Sequence, residues 1–91
     1  MLVRKQGDWL IAKVGDERVM MSTERVRYIG ITEVGARIWE LIETPQDVDA
    51  ICAQLRQEYA ITLEVCRAEV DTFLNELVER GAVRLDPEPV A

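Results

Sequence analysis

Histidine is absent from the sequence, which removes both the commonest general base and the commonest zinc ligand. Cysteine occurs only at Cys52 and Cys66, half of a metal site at best. Both are expected to be small buried residues on helices, with reduced thiols. No glycine-rich phosphate loop and no activated-nucleophile spacing is present. No apolar run approaches membrane-spanning length, and the start MLVRKQGDWL lacks the apolar centre of a signal peptide. These absences lead us to expect a cytoplasmic protein with no membrane contact, no metal, no cofactor and no catalytic residues.

Positive charge is scarce in the second half. Residues 1–43 carry seven basic and seven acidic side chains, whereas residues 44–91 carry four and ten, so the whole net charge of −6 lies there. A nucleic-acid binder needs a positive face to displace counterions from phosphates. This distribution excludes the usual one.

What is present fits one small folded domain. The 91 residues are 48% apolar and 31% charged, ordinary values for a globular chain. A core of this size leaves little room for a deep pocket as well, which favours surface recognition over enzymology. The spacing predicts strands over 8–14, 18–22 and 25–31, joined by turns at Gly15-Asp16-Glu17 and Thr23-Glu24, as an antiparallel meander. In the third strand Val26 and Tyr28 point one way while Arg25, Arg27, Ile29 and Ile31 point the other. One of these two sets must face away from the core.

The period then becomes helical. Thr32 caps a first helix bearing Val34, Ile38, Leu41 and Ile42, with Trp39 beside them; Trp39 and Trp9 both read as core aromatics. A second helix starts around Thr44-Pro45, with Pro45 at its first position, and carries Val48, Ile51, Cys52, Leu55 and Tyr59. Thr62 caps a third helix that runs to Arg80 and stops at Gly81. Residues 82–85 suit a short last strand, and residues 86–91 a loose tail. The fold class is α+β, winged helix-turn-helix-like: a three-stranded antiparallel sheet followed by three helices, in a single domain over residues 1–85.

The third helix has more apolar surface than one use requires. Cys66, Val70, Phe73 and Leu77 suffice for the core, while Leu74 and Val78 lie about 80° and about 120° round from Cys66. Either these two pack on the first helix or the sheet, or they line a groove rimmed by Arg67, Asp71 and Asn75. A groove between an open strand edge and an oily helix is what β-strand addition of a guest peptide requires. The strand at 25–31 is the candidate edge. Its arginines either discourage unwanted pairing or favour an acidic guest.

The run Tyr28-Ile-Gly-Ile-Thr-Glu-Val-Gly35-Ala-Arg-Ile-Trp39 resembles the PqqD-like family, the recognition domains for ribosomally made and later modified peptides. So do Val48 to Leu55, the aromatic at Tyr59, and the long helix with Glu69-Val70, Phe73-Leu74, Leu77 and Gly81. The likeness spans roughly residues 18–85, and Ile31-Thr32 departs from the usual Leu-Asn. It implies a non-catalytic monomer that takes a precursor's leader peptide as an extra antiparallel strand, for a separate leader peptidase or modifying enzyme, most simply of the lasso-peptide type. By position the peptide contacts would be Arg25, Val26, Arg27, Tyr28 and Ile29 on the strand, and Arg67, Asp71, Leu74, Asn75 and Val78 on the helix. Two other readings fit the element order: a winged-helix DNA-binding regulator and a general protein–protein adaptor. The regulator would place an acidic third helix beside phosphates.

Overall fold

Local sequence signals place most elements. The computed structural model describes residues 2–24 and 27–87. Its strands β2 (Trp9–Val14), β3 (Glu17–Ser22) and β4 (Tyr28–Ile31) form the expected antiparallel meander, in the order β2-β3-β4. Val14 pairs with Glu17 across a two-residue turn, and Gly15 at its first position adopts φ +63°, a conformation that glycine takes without strain. The register aligns Ile11, Met20 and Ile29 in one row across the sheet. Met20 and Ile29 are buried, so this row faces the helices. The other face carries Leu10, Met21 and Tyr28, and Tyr28 is 60% exposed.

Three helices follow: α1 (Glu33–Leu41), α2 (Val48–Glu58) and α3 (Leu63–Glu79). The Thr32 hydroxyl accepts from the Gly35 amide at 3.0 Å, and the Thr62 hydroxyl from that of Val65 at 3.2 Å, so both expected caps form. Gly81, at φ +77°, ends the third helix. The start of the second helix differs from the expectation. Asp47 is its cap, accepting from the Ala50 amide at 2.7 Å, and Val48 its first residue. Pro45 lies outside the helix, because Gln46 and Asp47 (β5, Gln46–Asp47) are extended and pair with another strand.

That partner is an element the sequence reading missed. Leu2–Lys5 forms β1, the centre of a second sheet ordered β5-β1-β6, with β6 at Val83–Asp86. The pairing brings Leu2 opposite Asp86. Asp86 therefore belongs to a strand, where it pairs with Arg4 and Arg84, and not to a tail; residues 88–91 of the expected tail lie outside the described residues. One core joins both sheets and all three helices. Val3, Met20, Ile29, Ile38, Ile51, Leu55, Cys66, Val70, Leu77 and Val83 are among its buried members, and Trp39 is buried while Trp9 packs against it partly exposed.

Arg37 fastens α1 to α2. Its Nε and Nη2 donate to the two Glu58 carboxylate oxygens at 2.7 and 2.8 Å, and Nη1 donates to Glu40 at 3.0 Å. With Gln54 also donating to Glu58, the Glu58 carboxyl is held down at about 2, mainly by the Arg37 hydrogen bonds.

Candidate functional site: an open strand edge beside an apolar cavity

Backbone polarity along β4 decides which groups are open. The Ser22 amide donates to the Arg27 carbonyl at 3.1 Å, so Arg27 turns its backbone polar groups toward β3. In an extended strand successive residues alternate sides, and the register continues as Met20 with Ile29 and Arg18 with Ile31. Tyr28 and Gly30 consequently direct their N–H and C=O groups away from the sheet. Among the described residues no strand pairs with β4 on that side.

A cavity of about 490 Å³ adjoins this edge, between the end of β4, the first turns of α1 and the middle of α3. Its walls are apolar: Ile31, Val34, Gly35 and Ile38 on one side, Ala68 and Phe73 on the other, with Thr72, Glu69 and Glu76 along the α3 rim. Gly35 makes the close approach possible. A Cβ there would lie 3.1 Å from the Phe73 ring, so glycine lets the ring settle against α1. A cleft beside β2 is mixed in character: Trp9, Ile11, Ala36 and Trp39 line it together with Lys5, Arg18, Glu40 and Glu43, with Lys5 paired to Glu43 and lying 4.4 Å from the Trp39 ring centre.

The cavity is lined by a different face of α3 from the one expected to meet a guest. Taking 100° per residue, Glu69, Thr72, Phe73 and Glu76 fall between about 140° and 240° from Arg67, whereas Asp71, Leu74 and Val78 fall within about 40° of it. Arg67 pairs with Asp49 of α2. Leu74 is 3% exposed and is a core residue, while Phe73, assigned to the core from sequence, is the one that lines the cavity. Asp71 and Asn75 are exposed, and Val78 is 41% exposed on the face away from β4. The reason is rotational: adjacent apolar residues 73 and 74 can exchange roles with a modest turn of the helix, and packing against α2 fixes which faces inward.

On the strand, Arg27 and Tyr28 are exposed. Ile29 points its side chain into the core at 2% exposure and its backbone polar groups toward β3, so neither faces the open edge. Arg25 and Val26 lie outside the described residues. The residues missed from sequence were Val34, Gly35, Glu69, Thr72 and Glu76. A glycine inside a helix, four positions before Trp39, was the available signal for close packing.

Cys52 and Cys66 are buried and free, with the Cys66 Sγ donating to the Cys52 carbonyl at 3.8 Å. Burial pushes the Cys52 thiol up to about 11, with the neighbouring Cys66 adding to it. Among the described residues no group of three or more His, Cys, Asp or Glu could hold a metal ion, and no helix is long and apolar enough to cross a membrane. The α3 surface carries Glu64, Glu69, Asp71, Glu76 and Glu79 against Arg67, a poor match for phosphates.

The edge strand β4 and the three helices lie in a segment that matches one family. The model of coenzyme PQQ synthesis protein D (PqqD) matches residues 17–83. The chain belongs to the PqqD family. No curated protein matches it. Two solved structures share the fold seen here. TbiB1 in complex with the TbiA(beta) leader peptide superposes with a TM-score of 0.74 at 22% identity, covering 93% of this chain and 99% of that one. Lasso peptide synthetase B1 complexed with the leader peptide gives 0.71 at 15% identity, covering 91% and 98%.

Proposed function

We propose that this protein binds the leader segment of a ribosomally made precursor peptide as a strand added to β4, and presents it to separate modifying enzymes. One observation carries the reading: the outward backbone groups of Tyr28 and Gly30 lie beside a predominantly apolar wall. Backbone bonds would supply register and affinity, and the cavity would take the guest's inward side chains. Membership of the PqqD family supports this, as does the presence of leader peptides in both structural neighbours; the one named a lasso peptide synthetase favours the lasso-peptide class, for which the enzyme served would be a separate leader peptidase. The domain itself would act in the cytoplasm as a monomeric carrier and perform no chemistry, in keeping with its missing histidines and buried thiols.

The test uses the leader of the precursor encoded beside this gene. Its addition is expected to slow amide exchange at Tyr28 and Gly30. Thr72→Trp, which fills the groove from an exposed position, is expected to weaken binding at least ~10-fold, about 1.4 kcal/mol, without loss of folding. Val78→Asp, on the opposite face, is expected to leave affinity unchanged. Equal binding by the Thr72→Trp variant would remove the guest from this groove.

A further inference from the structure

The cavity's charge is one-sided. Glu69 and Glu76 both line it, two helical turns apart and about 10 Å along the α3 axis. The other polar lining groups are the threonines Thr32 and Thr72, and among the described residues no lysine or arginine lines the cavity. Four carboxylates on α1, on α2 and between them have partners: Asp49 pairs with Arg67, Glu43 with Lys5, and both Glu40 and Glu58 with Arg37. Among the described residues neither Glu69 nor Glu76 is in an ion pair. At the opposite end of β4 the cleft holds Arg27 and Arg80 together with Asp8 and Glu24, a balanced set. The negative potential is thus concentrated at the Ile31 end of the edge.

Resting on the peptide-binding reading above, we propose that the groove selects a guest of defined chemistry: a bulky apolar anchor flanked by lysine or arginine, with Glu69 and Glu76 as the residues that choose it. The apolar walls take the anchor. A strand laid along β4 places side chains about 6.6–6.8 Å apart on each face, so basic residues two to four positions from the anchor come within reach of the two carboxylates. Glu69 is exposed and Glu76 half-buried, so salt screens the contact, and it discriminates against acidic guests more strongly than it adds affinity. An acidic guest, one of the readings of Arg25 and Arg27, would meet like charge here.

The experiment is a display selection of random 15-residue peptides on the immobilised full chain, its Thr72→Trp variant and its Glu69→Lys/Glu76→Lys variant. Wild type is expected to enrich a bulky apolar residue with Lys or Arg nearby. The double lysine variant is expected to lose that enrichment or exchange it for Asp and Glu, and to bind the best wild-type peptide at least ~10-fold more weakly at low salt, a gap that shrinks at high salt. Glu69→Gln/Glu76→Gln should lie between them, which separates charge from any local distortion. Apolar enrichment with no charge preference, abolished by Thr72→Trp, would overturn the charge assignment while leaving the groove intact. Equal enrichment on the Thr72→Trp variant, or no binders at all, would overturn both.

Discussion

Single side chains decide whether the groove exists. At Gly35 an added methyl would stand 3.1 and 3.3 Å from two carbons of the Phe73 ring, closer than a relaxed contact. The ring can yield only toward the cavity, since its other side packs on the core. Alanine also improves the helix by up to ~1 kcal/mol over glycine, so the two effects on stability oppose each other. Gly35→Ala is therefore expected to melt within about 5 °C of wild type while losing at least ~5-fold in leader affinity, measured by calorimetry on the same preparation. A variant that binds normally would show that Phe73 has another way to move. Leu74 behaves differently. A charge at a position 3% exposed would be buried without a partner, so Leu74→Asp is expected to unfold the domain, and circular dichroism, not peptide affinity, is the measurement that reads it. Only the structure separates these neighbours: sequence showed an apolar surplus on α3, but both residues 73 and 74 satisfy an apolar stripe.

At the level of elements, legibility followed the range of the signal. The meander, all three helices and the caps at Thr32 and Thr62 rest on residues within a few positions of one another, and each was readable. β1 was not, because its justification is a pairing between Leu2 and Asp86 at opposite ends of the chain. The same long-range contact displaced the expected start of α2: pairing of Gln46 with Val3 keeps that segment extended, and the helix begins after Asp47. Two expectations follow. Asp47→Ala removes the cap to the Ala50 amide and should cost about 0.5–2 kcal/mol in urea unfolding. Deleting residues 2–5 removes buried Val3 and leaves β6 without its partner, so it should cost more than a single large-to-small core change, about 2–5 kcal/mol, and abolish cooperative melting. Retention of a sharp transition would mean that the second sheet is an accessory to the core.

The molecule as a whole packs α1 and α2 so that α1 can form one wall of the guest cavity, and the Arg37–Glu58 pair ties those two helices at the surface. This coupling has a pH signature. Glu58 moves from an ordinary value near 4.5 to about 2 in the folded state, chiefly through hydrogen bonds from Arg37 and then Gln54. The folded protein holds this carboxylate deprotonated more firmly than the unfolded chain does, so the unfolded state binds the extra proton. The stabilisation is therefore complete above pH 4.5 and declines as pH falls from there toward 2. Arg37→Met keeps an aliphatic stem but removes the donors. Its urea midpoint is expected below that of wild type at pH 7, and the gap should narrow steadily between pH 4.5 and 2. A gap of constant size across that range would mean that Arg37 stabilises the domain through its packing, with the carboxylate of Glu58 indifferent to its neighbour. Guest affinity measured alongside separates the two roles of α1, since loosening its attachment to α2 should also reduce leader binding, whereas a purely local charge effect would leave the cavity wall, and the affinity, unchanged.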